Sequence, residues 1–518
     1  MTSNPSITLN TMSTTSSLFI QLNADDDVVV ATRSLGLGSK VLGIEITTPI
    51  PSGHKIAIHD LAPNTPVKKY GQIIGYAKTQ IKRGEHIHVH NLEFRQSNAQ
   101  HDIGSGIKSI APIAADQRRS FSGYRRENGQ VGTRNFIAIL TSVNCSATAA
   151  RLISDRFSED QLHDYANIDG VTAFVHGTGC AMDPNGEGYQ NLQRVLWGYA
   201  SHPNCAGVLM VGLGCETYQL DALMDAYQIE PSDLFRIMNI QDMGGLRKTI
   251  DAGVGMIQEM LPSVNQFTRS PCPVSELKLG LQCGGSDAWS GVSANPALGY
   301  ASDLLIQQGG CAVLAETPEV YGAEHLLTRR ARSETVAQKL IDRLHWWEDY
   351  TARFDGSMDN NPSHGNKRGG LTTILEKSLG AVAKSGTCAM EDVYRYAEKI
   401  TKNGFVMMDS PGYDPASITG QIAAGCNIVA FTTGRGSVYG SKPAPSIKIA
   451  TNSEMYNRMS EDMDINAGHI LDGNATVEQT GEQIFDYLID VASGQPSLSE
   501  AQGLGDLEFV PWQIGAVM

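Results

Sequence analysis

None of the nine cysteines forms a CxxC pair, and their odd number is scattered from Cys145 to Cys426 of a 518-residue chain. That distribution excludes the disulfide framework of a small secreted domain, so reduced thiols are expected. No apolar run approaches the roughly 18 residues that a membrane-spanning helix needs. Met1–Ser17 is rich in Ser and Thr but lacks the basic start and apolar centre of a secretory signal. It reads as a disordered tail on a cytoplasmic protein. Positive charge is also scarce: 40 Lys and Arg stand against 55 Asp and Glu, a net charge of −15. A broad nucleic-acid footprint is thereby excluded. A small anionic substrate in a locally basic pocket is not.

What the chain does have is length and glycine. At 518 residues it exceeds one ordinary hydrophobic core, and 53 glycines point to a globular protein with many tight turns. From residue 18 to 94, short alternating runs (Val28–Ala31, Lys55–His59, Gln72–Tyr76, His86–His90) separated by turn residues predict a small β-rich domain. Residues 95–120 are polar and aperiodic and read as a linker. Beyond them, β-like runs alternate with helix-like stretches: Phe136–Thr141 then Ala147–Phe157, Val171–Val175 then Tyr189–Tyr199, Ala206–Val211 then Tyr218–Tyr227. This is α/β layering on a parallel sheet. A second such region starts near Leu277, with Lys278–Gln282, Cys311–Ala315, Ile428–Thr432 and Ile447–Thr451 as strands. Pro271 and Pro273 mark a break between the two. The expected architecture is therefore multidomain α/β: residues 18–94, a middle domain over 121–270 and a parallel-sheet domain over 271–518. A chain beginning near Ser120 is expected to fold alone.

Four predicted strands run straight into a Gly/Cys/polar cluster, ending at Cys145, Cys180, Cys215-Glu216 and Cys283-Gly-Gly-Ser-Asp287. Side chains placed after parallel strands converge on the ligand crevice, and four thiols there would suit iron, zinc or an iron–sulfur centre. The competing reading is cysteine as a small buried residue beside glycines. Their spacing does not say which thiols share a metal. Asp287 and Glu316, with Glu319, are candidate oxygen ligands, or ordinary helix-terminal acids. Thr433-Gly434-Arg435 follows a strand without any Walker pattern; a backbone nest there would take a carboxylate that Arg435 clamps, and the plain alternative is a tight turn with a solvated Arg. His364, Asn366, Lys367 and Arg368 fall in a segment with too many breakers for regular structure, and functional and merely mobile loops share that composition. On a strand, His86, His88 and His90 would point to one face, near His54, and bind a metal or an anionic sugar acid; the alternative is a solvated strand face.

With these residues in view, the chain resembles the altronate dehydratase and galactarate dehydratase family over roughly residues 18–515. The resemblance rests on long motifs in order, among them Gly53-His-Lys55, Lys69-Tyr-Gly-Gln-Ile-Ile-Gly-Tyr-Ala77, the stretch Gly123–Asn135, Gly212-Leu-Gly-Cys-Glu216, Cys283–Pro296, Pro362–Gly370, Phe431–Gly436 and Asp464-Ile-Asn-Ala-Gly468. His364 stands where the family usually carries proline. The resemblance implies a β-clip (SAF-type) N-terminal domain, a Rossmann-like C-terminal domain, and an iron-stimulated hydro-lyase that turns a sugar acid into its 2-keto-3-deoxy acid. His86–His90 and Val320–Glu324 look altronate-like, whereas Gln282–Ala288 and Asn295–Leu305 look galactarate-like. The expected roles are Lys384, Lys367 or His176 as base; Arg435 and Arg134 as carboxylate clamp, with Thr433, Gly434, His54, His86, His88 and Asn366 around the substrate; and Cys145, Cys180, Cys215, Cys283, Asp287 and Glu316 about Fe(2+), another divalent cation or an iron–sulfur centre. The expected partners are a small sugar acid and a second copy in a homodimer, with no nucleic acid and no membrane. The rival functions are a lyase on another 2-hydroxy acid, such as a sulfonated one, and a non-catalytic sugar-acid sensor.

Overall fold

The computed structural model describes residues 18–96, 101–108, 110–515 and 517; the tail reading for residues 1–17 lies outside them. Residues 18–93 form only strands and turns. Phe19–Ile20, Val28–Ala31, Lys55–Ala57 and His86–Ile87 make an antiparallel sheet in that order, and Pro66–Lys69, Gln72–Ala77 and Leu92–Glu93 make another. The expected strand His86–His90 stops at Ile87 because His88 starts a turn, in which the Asn91 side chain accepts from its backbone N–H at 2.9 Å.

The middle domain holds a four-stranded parallel sheet in the order Gly170–Phe174, Phe136–Thr141, Cys205–Gly212, Phe235–Asn239. The C-terminal domain is a seven-stranded parallel sheet with Lys278–Cys283 at its centre. Cys311–Leu314, Gly404–Met408 and Met390–Tyr394 lie on one side of that strand, and Ile428–Thr433, Ser446–Ala450 and Ile465–Asn466 on the other. The chain leaves Lys278–Cys283 in one direction and later returns on its other flank. That reversal opens a crevice at the carboxyl ends of the central strands. Among the described residues no helix is long and apolar enough to cross a membrane.

The stretch with Pro271 and Pro273, between the middle and C-terminal sheets, is itself a strand, Arg269–Pro273, antiparallel to Ser120–Arg125. It is an edge strand, where a missing N–H leaves no gap in a ladder. The N-terminal domain packs against the C-terminal one. Val67, Ile74 and Ala77 share one buried cluster with Leu279, Leu281 and Leu314 of the C-terminal domain. The described part of 95–120 is laid along that domain, with Gly106 N–H donating to Arg329 O at 2.8 Å and Ile113 N–H to Gln307 O at 2.9 Å. A chain starting at Ser120 would expose this apolar surface to water.

Candidate active site at the switch of the C-terminal sheet

Lys278–Cys283 ends in Cys283, buried at the floor of the crevice. From the next strand, Cys311–Leu314, the chain turns through Glu316, which sits in the left-handed region at φ 65°. A non-glycine residue held there carries strain that the surroundings must sustain. The turn brings the Glu316 and Glu319 carboxylates beside the Cys283 thiol, which lies 3.7 Å and 3.6 Å from their Oε2 atoms.

The helix Ile374–Val382 and the turn that follows supply the counter-charges, and this helix is buried along its whole length. Lys377 and Lys384 are two helical turns apart and face the crevice together. Lys384 Nζ donates to Cys283 Sγ at 2.8 Å and to Glu316 Oε2 at 3.1 Å. Lys377 Nζ donates to Glu319 Oε1 at 2.6 Å and to Asn361 Oδ1 at 2.7 Å. Glu376, one residue earlier, points the other way and receives both Lys55 and Lys69 of the N-terminal domain at 2.9 Å.

Burial first, then the negative charge of Glu319, pushes Glu316 up to about 8. The same two causes push Asp414, whose carboxylate closes on Gly284, up to about 7. Glu319, paired with Lys377, is held below the ordinary carboxylate range. Burial pushes the Cys283 thiol up to about 12, and the carboxylates and thiol around Lys384 raise its pKa. Near neutral pH the site thus holds an ammonium, an un-ionised thiol and a carboxyl that can still exchange a proton. One further feature marks Glu316: its Oε1 is buried without a partner among the described residues.

At the rim, the expected backbone nest is absent. Gly434 and Arg435 N–H both donate to Gly285 O, at 3.2 Å and 2.8 Å, and Gly436 N–H goes to Thr433 Oγ1 at 3.1 Å. Thr433 is buried in supporting this turn, and Gly434 is needed because a Cβ there would overlap the Asp287 carboxylate. The Arg435 side chain itself is exposed and has no hydrogen-bond or ion-pair partner among the described residues.

Several other expected residues are engaged elsewhere. Asp287 Oδ1 accepts from Trp289 N, Ser290 N and Thr451, and Oδ2 from Thr451 and Asn452, so it braces loops and has no free oxygen for a metal. Arg134 is locked in a fork with Glu500 at 2.6 Å and 2.8 Å and donates its other N–H groups to backbone carbonyls, so it cannot clamp a substrate. Ser363 caps the short helix His364–Arg368, its hydroxyl accepting from Asn366 N–H while the Asn366 side-chain oxygen accepts from Ser363 N–H, and Asn366 also donates to Ser286 O at 2.8 Å; this capping box gives the expected irregular segment a helical turn. Lys367 is half-buried on that helix, apart from Lys384. His176 is buried in the middle domain against Thr141 O at 2.8 Å, and burial pushes it down to about 4. Cys145, Cys180 and Cys215 also lie in the middle domain, exposed, and do not join Cys283. Lys377, Asp414 and Asn361 were not singled out from sequence; only Lys377's place two turns before Lys384 signals it.

Two donor groups among the described residues are tight enough for one metal ion: His54, His86 and His88, and Cys283, Glu316 and Glu319. In the second, two ammonium groups already neutralise the carboxylates, so a dication would have to displace them. The first is a better fit. His54 Nδ1 and His86 Nε2 stand 2.9 Å apart, His88 Nδ1 is buried without a partner among the described residues, and burial pushes both His86 and His88 down to about 3, keeping them neutral. Three neutral imidazoles suit iron(II) or zinc. This group shares a wall with the crevice: His54 Nε2 is 3.3 Å from Arg368 O, and a Cβ on the adjacent Gly369 would stand 3.4 Å from Arg435 Cδ.

Comparison with known families agrees along the chain. The profile of the altronate/galactarate dehydratase SAF domain matches residues 17–95. That of the D-galactarate dehydratase/altronate hydrolase second domain matches 123–265, and that of the D-galactarate/altronate dehydratase C-terminal domain matches 274–517. An altronate dehydratase of Bacillus subtilis (strain 168) is 37% identical over 92% of this chain and 95% of its own length. A galactarate dehydratase (L-threo-forming) of Escherichia coli (strain K12) is 37% identical over 95% and 96%. The beta subunit of a (2R)-sulfolactate sulfo-lyase of Chromohalobacter salexigens is 33% identical over 76% of this chain and 97% of its own length.

Proposed function

Because the chain belongs to the altronate/galactarate dehydratase family, we propose that it removes water from a sugar acid of the altronate or galactarate type to give the 2-keto-3-deoxy acid. The observation that carries this reading is Glu316, whose Oε2 accepts from the Lys384 ammonium while its buried Oε1 has no partner among the described residues.

Arg435 receives the substrate carboxylate through its planar fork. That contact sets C2 over the crevice floor. Glu316 Oε1 takes the C2 proton; a base whose pKa lies near neutrality is both ionised often enough and strong enough for this step. Lys384 gives a proton to the departing 3-hydroxyl, which leaves as water, and the enol left behind takes up a proton at C3 while its 2-hydroxyl gives one up, yielding the 2-keto acid. Lys384 thus serves as acid rather than as the base expected from sequence, since its ammonium is stabilised by the thiol and carboxylate beside it. His54, His86 and His88 would hold a divalent iron, which supplies Lewis acidity toward the 2-hydroxy acid when bound.

The test is incubation with altronate, galactarate, glucarate, mannonate and sulfolactate under reducing, iron-supplemented conditions. Formation of a 2-keto-3-deoxy acid from a sugar acid is expected. Sulfite release from sulfolactate alone would transfer the reading to the sulfo-lyase branch, and binding without turnover would replace it with a sensor.

A further inference from the structure

The middle domain carries a second constellation that the dehydration chemistry leaves unused. Its parallel sheet aligns Leu140 with Met210 on one side and with Phe174 on the other. Counting outward from that register, Cys145 and Cys215 each lie five residues past the pair, and Cys180 lies six residues past Phe174. Three thiols therefore leave three adjacent strands at one level, at the carboxyl end of the sheet where ligands bind in such folds. All three are exposed.

The loops that carry them are tied to one another. Asn144 N–H donates to Thr178 O at 3.0 Å, and Tyr218 N–H to Gly179 O at 3.0 Å. Glu216 draws the ends of two loops together, accepting from Ser142 Oγ, from Leu213 N–H at 3.1 Å and from Gly214 N–H at 2.7 Å. Beside the cysteines the backbone takes positive φ, at Gly179 (103°) and Gly214 (122°), where glycine permits it, and at Ala181 (54°), where it is strained. A Cβ at Gly179 would also overlap the Ser142 carbonyl. Gln241 Nε2 donates to Cys215 Sγ at 3.3 Å, the kind of contact that tunes a metal-bound sulfur. Asn144, the neighbour of Cys145, and Gly177 line a cavity of about 250 Å³ that Phe509, Val510, Pro511 and Gln513 border.

We propose that Cys145, Cys180 and Cys215 hold an iron–sulfur cluster through three thiolates, leaving one iron of the cluster without a cysteine. A single zinc or iron ion fits less well. Metal–sulfur bonds of about 2.3 Å would bring the sulfurs to within about 4 Å of one another. The donor groups whose ligand atoms all lie within 4.8 Å do not include these three. A cluster distributes its thiolates over several irons and accepts the wider spacing. The inference does not depend on the dehydratase reading, because it concerns a different sheet and is read out by metal and sulfide content.

The full chain, reconstituted anaerobically with ferrous iron and sulfide, is expected to bind both and to show the broad visible absorption of a cluster. The Cys145→Ser, Cys180→Ser and Cys215→Ser triple variant should lose the acid-labile sulfide while keeping the iron held at the histidines. A Cys283→Ser variant should keep the sulfide. Should the triple variant not fold, Gln241→Leu serves instead: the cluster should remain and its reduction potential fall, because a hydrogen bond to sulfur has been removed. Wild-type protein that takes up no sulfide, a triple variant that retains it, or Gln241→Leu with an unchanged potential would each overturn the proposal.

Discussion

Two parallel sheets in this molecule end in cysteine, and they treat it in opposite ways. The middle sheet leaves Cys145, Cys180 and Cys215 exposed on loops braced by Glu216, with no ammonium bonded to any of the three thiols among the described residues. The C-terminal sheet buries one thiol, Cys283, and surrounds it with Lys384, Glu316 and Glu319. The same local pattern, a strand running into glycine and cysteine, thus leaves thiols open to solvent in one place and encloses a thiol among charges in the other. Burial and the sign of the neighbouring charge decide between them.

The contrast breaks most visibly at Lys384. Lys384→Ala should lower kcat by about 10³-fold, within the range for a positioned acid, while iron and sulfide bound at the middle sheet stay at the wild-type level. A loss of sulfide in that variant would mean the two regions are one site.

Glu376→Gln comes next. It leaves Lys55 and Lys69 buried without their shared carboxylate, which should cost about 3–5 kcal/mol of stability, measured by urea unfolding. A change below about 1 kcal/mol would show that the N-terminal domain does not depend on this ion cluster.

The pH profile then sharpens the chemistry of the closed site. Glu316 must be ionised to act as base, and its pKa is pushed up to about 8. Below that value the ionised fraction falls about tenfold per pH unit, so kcat/KM should rise with a slope of one toward pH 8 and then level. Asp414→Asn removes one negative charge that raises Glu316, so the limb should move to lower pH. An unmoved limb would exclude Glu316 as the titrating base.

The smallest effect belongs to the rim. Arg435→Lys keeps the charge but loses the fork, and kcat/KM should fall by about tenfold, equivalent to about 1.4 kcal/mol. Unchanged kinetics would remove Arg435 as the carboxylate contact.

Much of the scaffold was legible in the sequence because strand patterns are local. Val28–Ala31 and Phe136–Thr141 match the expected runs residue for residue, and the alternation beyond Gly123 gave the two parallel sheets. The candidate site was legible only in part. Lys384, Glu316 and Cys283 were named, but not as one constellation, because nothing local says that a thiol and an ammonium 101 positions apart lie 2.8 Å from each other. The same gap led to Arg134 and Asp287 being read as ligand-binding groups: their partners, Glu500 and Thr451, are 366 and 164 positions away.

By itself, then, the sequence determined where strands begin, where they break into glycine and cysteine, and which motifs follow in order, since these depend on neighbours within a few positions. Tertiary structure alone decided which charges meet. It sends Glu376 outward to two lysines of the first domain and Lys377 inward to Glu319, although they are adjacent in the chain. One helical step turns a side chain by about a quarter of a circle, and only the packed surroundings fix which quarter faces the crevice.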